Sequence, residues 1–422
     1  MEHFAQNPKD PAFVQDPYPF YERTRTAGDL FYWDDYGMAC TVSYAATQAA
    51  LRDKRMGREC PPEFARPIPE ALAPFYKIES HSMLELEPPV HTRLRGLVLR
   101  AFTSRTIAAL APDITDLCNQ AIDRFPSAPF DLLTAFAQPV PVRIISRLLG
   151  VDETHADDLL KWSNAMVAMY QPQRTPQIEA DAMAATKAFS AFIRDYIGHK
   201  RKNPANDLIS TLIAANEAGD KLTEDELITT CILLLNAGHE ATVHTLGNGV
   251  KTLLEIGHKT ITPTAVEEVI RHDPPLHMFT RYVYEDMEFY GNALKRGDQI
   301  GCLLAAANRD ALNGMFHQIF QHAACKIAHI QHRVIWQPIQ VLHDLLARRP
   351  CTACNMRGPI GNRHINPAMN RGDPSGTRKR THNARRSQHR QPAHNPQSRV
   401  PGLERQSGPI ADRHGDRDIR GL

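Results

Sequence analysis

Residues 223–254 read TEDELITTCILLLNAGHEATVHTLGNGVKTLL, and this stretch decides the fold. Apolar residues recur there at three- and four-residue spacing, which predicts one long helix. Thr223, with Glu226 three residues on, makes a capping box for its start. The middle runs Ala237-Gly238-His239-Glu240-Ala241-Thr242. A glycine inside a helix costs about 1 kcal/mol relative to alanine, so Gly238 calls for a reason. One reading is that it removes bulk where a ligand approaches the backbone, while Glu240 and Thr242 supply a carboxylate and a hydroxyl to a proton relay. The other is close helix packing.

On either side of this helix the same periodicity recurs. Helical windows are expected at 91–103, 106–124, 138–149, 153–169, 177–200 and 205–217. Pro-rich and aromatic residues dominate 8–36, where short alternating runs such as LFYW and ACTVSY suggest a small β region at the edge of the fold. Residues 57–80 carry no clear period. Between 279 and 307 the pattern turns β: FTRYVYEDMEF, a GNALKRGD turn, then QIGCLLAAA. Gly/Asn and Gly/Asp pairs there suit hairpin connections. The expected fold class is therefore mainly α with a smaller β part.

Three further groups of residues have chemical potential. His91 and Arg95, after Glu87-Pro-Pro89, lie four apart on a helix expected to begin near Val90, so they share one face. That face could clamp an anion, or it could be a solvated basic surface. Glu268 and Arg271 have the spacing of an intrahelical ion pair, which on a surface means little. Arg281 sits in an expected strand shortly after Pro274-Pro275.

In chain order these form one pattern: Gly-x-Glu-x-Thr in a long helix, Glu-x-x-Arg, Pro-Pro with an Arg-bearing strand, then AAANRD. With EPPVHTRLR and LVLRAFT upstream, the chain resembles the cytochrome P-450 family of haem-thiolate monooxygenases, in particular its soluble bacterial members. The resemblance covers about residues 10–310. It implies the cytochrome P-450 fold, incomplete at the C-terminus, with haem as cofactor. It also implies insertion of one oxygen atom from dioxygen into a small organic substrate, with electrons from a ferredoxin-type redox partner. His91, Arg95 and Arg281 match haem-propionate positions. Ala237, Gly238, Glu240 and Thr242 match the oxygen-binding groove, with Glu240 and Thr242 in proton delivery. Glu268 and Arg271 match the structural pair that a later Arg completes, so the pair is expected to be half-satisfied here. Arg95, Arg100 and Arg105 are candidates to face an acidic partner.

The resemblance stops at Asp310. The family's haem loop, Phe-x-x-Gly-x-x-x-Cys-x-Gly, supplies the thiolate ligand, and no cysteine here stands in that pattern. Cys325 sits in FQHAACKIA, and Cys351 and Cys354 in RRPCTACNMRG. Between Leu254 and Glu267 the chain is also several residues short of the family's usual length. Composition changes at the same place. Residues 311–422 hold 18 Lys and Arg against 6 Asp and Glu, a net +12, while residues 1–310 hold 31 against 41, a net −10. From Cys351 on there is no Phe, Tyr or Trp. Too little apolar surface is then available to offset chain entropy, so 350–422 is expected to be disordered. Residues 311–349 are expected to form adventitious helices.

The expected organisation is a body, 1–310, lacking the haem-thiolate loop, and an atypical basic tail, 311–422, read as a frameshift product. Catalysis by this pseudogene-like chain is then not expected. The alternative is a non-catalytic remnant whose tail binds a polyanion or nothing. Two other readings of the tail are a zinc knot from Cys351, Cys354, His343 and His364 and a nucleic-acid-binding arm. The knot has irregular spacing and the arm lacks aromatic interleaving, so neither a metal site nor a nucleic-acid partner is expected. Eight scattered cysteines give no disulfide framework. No apolar run reaches spanning length, and MEHFAQNPKDP has no signal-peptide core. A cytoplasmic location is expected.

Overall fold

The structure is a computed structural model. It describes residues 1–101, 104–171, 174–217, 222–257 and 262–310. The chain divides into Met1–Met369 and Asn370–Leu422, and every described residue belongs to the first of these. The expectations for 311–349, for 350–422 and for Cys325, Cys351 and Cys354 lie outside the described residues.

The N-terminal part supplies β1 (His3–Phe4), α1 (Pro11–Gln15), α2 (Tyr18–Arg25), β2 (Leu30–Trp33), β3 (Met38–Thr41), α3 (Tyr44–Arg52) and β4 (Met56–Gly57). Then follow α4 (Ala73–Glu79), α5 (Val90–Ala101), α6 (Ser104–Ala109), α7 (Ala111–Asp123), a π-helical turn over Leu133–Ala137, α8 (Pro139–Leu149), α9 (Ala156–Val167), α10 (Pro176–Lys202), α11 (Leu208–Glu217), α12 (Glu224–Glu255) and α13 (Pro263–His272). The described part closes with β5 (Met278–Val283), β6 (Met287–Phe289), β7 (Asn292–Leu294), β8 (Gln299–Leu303) and α14 (Leu304–Ala307). The fold is mainly α with a smaller β part.

Three expectations change. The strands LFYW and MACT do not form a β region of their own. They join the C-terminal strands in one six-stranded sheet of order β1-β2-β3-β8-β5-β4. There Ala39, Cys40 and Thr41 pair in parallel with Ile300, Gly301 and Cys302, a contact too far apart in sequence for local pattern to show. Residues 304–307, read as strand, form α14. Part of the irregular 57–80 stretch is helix α4, with Pro74 in its first turn, where a missing N–H costs nothing. The Gly291/Asn292 pair does lie at a hairpin turn, between β6 and β7, while the rest of the 291–298 stretch read as turn holds β7 itself. Tyr290 and Gly291 both have positive φ, 48° and 70°, the geometry of a type I′ turn.

Helix α12 organises the core. It packs against α8, α10, α13 and α9, and its Leu227, Ile228, Ile232, Leu235, Val243 and Leu246 are buried with Leu149, Leu159, Phe189 and Ile193 of its neighbours. Each such side chain contributes about 1.5–3 kcal/mol when fully removed from water.

The capping box at its start is complete: Thr223 Oγ1 accepts from the Glu226 N–H at 3.2 Å, and the Glu226 carboxylate accepts from the Thr223 N–H at 2.8 Å. Glu226 also accepts from Arg93 of α5, so one carboxylate caps α12 and fixes the helix that precedes the site. Burial works to raise its pKa, but the Thr223 and Arg93 bonds hold it below the ordinary value. Glu226→Ala is expected to destabilise the protein by about 1–2 kcal/mol. Glu226→Gln, which keeps the cap but not the charge pairing, should lose less. Denaturant melts of the two variants check the order.

Candidate functional site

Along α12 from Cys231 to Val250 the residues not buried are Leu233, Leu234, Ala237, Gly238, Glu240, Ala241 and His244. They recur at three- and four-residue spacing and form one open stripe on an otherwise enclosed helix. Ala237 and Ala241, one turn apart, make its floor with methyl groups only. Glu240 and His244 line one edge.

Glu240 pairs with His244, whose Nε2 lies 3.2 Å from Oε2, while His239 Nδ1 lies 4.0 Å from Oε1. Burial works to raise the Glu240 pKa, but the His244 hydrogen bond and the neighbouring His239 hold it below its usual range. His239 is 1% exposed, with the Gln138 backbone beside its ring. Burial depresses its pKa, opposed by Glu240. Thr242 lies on the enclosed side, also 1% exposed, and its hydroxyl donates to the Gly238 carbonyl at 2.7 Å. The structure therefore brings Glu240 together with His244 and not with Thr242. His244 was legible as the i,i+4 neighbour of Glu240 and was missed.

Gly238 borders the stripe, but the side where its Cβ would stand faces α8. A Cβ there would lie 2.8 Å from Ile145 Cδ1. What the glycine makes room for on that side is a neighbouring helix.

A second cluster comes from α5 and β5. His91 and Arg95, one turn apart on α5, are half-buried, as is Arg281 on β5. The His91 pKa is held down by burial first, then by the Arg95 guanidinium, with Arg281 adding and Glu87 opposing. These three cationic-capable groups share one electrostatic environment. Arg281 Nη1 stands 3.9 Å from Glu87 Oε1, and its buried Nε–H has no acceptor. An unmet buried donor among mutually repelling cations suits an anion.

Arg58 was not foreseen, because the 57–80 stretch carries no pattern to flag it. Its guanidinium bonds Glu85 and the Thr280 hydroxyl, its backbone N–H donates to Glu87, and it lies over the Phe279 ring, which Arg281 also approaches.

Glu268 and Arg271 do pair, through Arg271 Nε to Glu268 Oε2 at 2.7 Å and a second bond from Nη2. The expectation of a half-satisfied pair is corrected. Arg271 Nη1 donates to the Asn308 carbonyl at 2.7 Å, and the Glu268 side chain is 58% exposed. A solvated pair of this kind is worth about 0–1 kcal/mol and leaves no buried charge waiting.

Of the basic residues proposed for a partner face, Arg100 is exposed, Arg95 belongs to the cationic cluster, and the Arg105 side chain lies outside the described residues. The five described cysteines, Cys40, Cys60, Cys118, Cys231 and Cys302, are free. Burial pushes the thiols of Cys118, Cys231 and Cys302 up to about 12, and that of Cys40 higher. Cys60 bonds the Pro61 carbonyl at 3.6 Å. Among the described residues there is no cluster of metal-ligating side chains. No described helix is long and apolar enough to cross a membrane.

No family model matches the chain. Individual proteins do. It is 31% identical over 330 residues to the putative cytochrome P450 YjiB of Bacillus subtilis, covering 74% of this chain and 78% of that one. It is 34% identical over 328 residues to cytochrome P450 107B1 of Saccharopolyspora erythraea, covering 71% and 77%. Among solved structures, P450BioI in complex with an acyl carrier protein ligated to hexadec-9Z-enoic acid superposes with a TM-score of 0.72 at 26% identity, covering 80% of this chain and 93% of that one. Fold and relatives together define a haem-monooxygenase body. The chain belongs to the cytochrome P450 family, whose cofactor is haem iron.

A test of the Gly238 packing follows. Gly238→Ala should gain helix propensity of about 1 kcal/mol and lose a similar amount by displacing Ile145. Ile145→Val, which removes Cδ1, should relieve the second effect. A double-mutant cycle in denaturant is expected to show favourable coupling of about 0.5–1 kcal/mol. Strict additivity would mean that Ile145 does not set the limit at this position.

Proposed function

We propose that residues 1–310 are the body of a monooxygenase that inserts one oxygen atom from dioxygen into a small organic substrate, and that the chain as written does not carry the reaction. Two observations support the first part: the open stripe of α12 and, on α5 and β5, a cationic cluster with an unmet buried donor. His91, Arg95 and Arg281 would hold the haem propionates, since carboxylates there relieve the mutual repulsion and meet the Arg281 Nε–H. Ala237 and Ala241 leave the stripe flat enough for a planar ring to approach, and Glu240 stands at its edge to handle protons. The haem, when bound, supplies oxygen activation. Thr242, matched to the groove by motif, lies with its hydroxyl on the Gly238 carbonyl and takes no part in chemistry. Glu268 and Arg271 serve structure.

Family membership implies a redox partner. We propose a ferredoxin-type one, with Arg100 as a basic contact, and a cytoplasmic setting that suits free, scattered cysteines. Loss of activity is supported by the sequence beyond Asp310, where no Phe-x-x-Gly-x-x-x-Cys-x-Gly loop stands. We read 311–422 as an out-of-frame tail.

The purified full chain, reduced under carbon monoxide, tests this. It should lack the red-shifted band of a thiolate-ligated ferrous haem, and any haem taken up should be weakly held and histidine-ligated. A clean thiolate band that disappears on Cys325→Ala or Cys354→Ala would contradict the proposal.

A further inference from the structure

We infer that His244 is the positioning residue for Glu240: it aims the carboxylate at the open stripe of α12, and Thr242 plays no part in the proton path from that carboxylate. The inference deepens the monooxygenase reading and rests on it. When one oxygen atom goes to the substrate and the other leaves as water, that water takes its protons from solvent, and a proton must cross to the stripe. Along α12 the stripe itself offers two proton-bearing side chains, Glu240 and His244. Its floor, Ala237 and Ala241, offers none.

The geometry joins these two. His244 Nε2 and Glu240 Oε2 are 3.2 Å apart, with side chains 17% and 24% exposed. They are near enough to solvent to exchange protons and enclosed enough for the bond to fix direction. A carboxylate held by an imidazole hydrogen bond loses rotational freedom, and Glu240 and His244 both belong to the stripe. The path conserves protons: one enters at the His244 ring from water, one passes across the hydrogen bond to Glu240, and one leaves Glu240 toward the stripe. Thr242 is on the enclosed side, with its only hydroxyl proton on the Gly238 carbonyl. His239, 4.0 Å from the other carboxylate oxygen, is sealed from solvent and cannot load the path from water.

The test uses the full chain without haem, labelled with 13C at the glutamate carboxyl carbons, and follows the Glu240 resonance through a pH titration. Glu240→Gln assigns the signal. His244→Leu should move the Glu240 midpoint upward, because the bond that favours the charged form is gone. His244→Gln, which keeps a donor at this position, should return it most of the way. Thr242→Val should leave it in place. Thermal melts of the same variants separate this from loss of folding, and His244→Gln keeps the test open should His244→Leu unfold. An unmoved midpoint in His244→Leu, no recovery in His244→Gln, or a shift in Thr242→Val overturns the inference. Because no haem is present, failure here is distinct from failure of the monooxygenase reading, which the carbon monoxide spectrum decides.

Discussion

The buried carboxylate of Asp273 is the joint on which the described structure depends. It lies just past the end of α13, 6% exposed, and four elements meet at it. The Tyr18 hydroxyl of α2 binds its Oδ1 at 2.7 Å, and His277 Nε2 ahead of β5 lies 3.4 Å from the same oxygen. Its backbone carbonyl accepts from Asn248 of α12 at 3.1 Å. Burial works to raise its pKa, but the His277 and Tyr18 bonds hold it below the ordinary range. Removing one partner of such a group costs about 1–3 kcal/mol, and more when the group left behind is charged. Here the cost would fall on the link between the sheet and the helical half.

The same joint holds the last described residues. The Arg309 Nε–H donates to the His272 carbonyl at 2.7 Å, and its guanidinium lies 3.1 Å from the centre of the Tyr18 ring. The Asp310 carboxylate accepts from the Tyr44 N–H at 2.9 Å, and the Asn308 carbonyl accepts from Arg271. The Asn-Arg-Asp motif is thus bolted into the body at each residue. The change in charge and composition begins directly after this anchored motif.

Local features of the fold were legible, and non-local ones were not. The capping box at Thr223 and Glu226, the start of α5 at Val90 and the course of α12 all follow from neighbours within a few residues, where spacing and capping chemistry act. The parallel pairing of β3 with β8 joins residues more than 250 positions apart, and no local pattern encodes it. The site shows the same division. Which residues belong to α12 was readable, but which way each one points depends on what packs around the helix. Thr242 follows Glu240 by two residues, too few to share a face, and a motif written as a string hides that rotation. The Thr242 hydroxyl bonds the Gly238 carbonyl, whereas His244, one turn along, pairs with Glu240. The Glu268–Arg271 pair was read as waiting for a partner because its exposure is a tertiary property.

We propose that a P450 body has been separated from its own thiolate loop. Sequencing the coding DNA through the Asp310 codon and translating all frames beyond it tests this most directly. The account predicts a second frame that opens near that codon with Pro and aromatic residues and then gives Phe-x-x-Gly-x-x-x-Cys-x-Gly. If no frame there holds a cysteine flanked by those glycines, the frameshift is wrong and residues 311–422 are the gene's intended continuation.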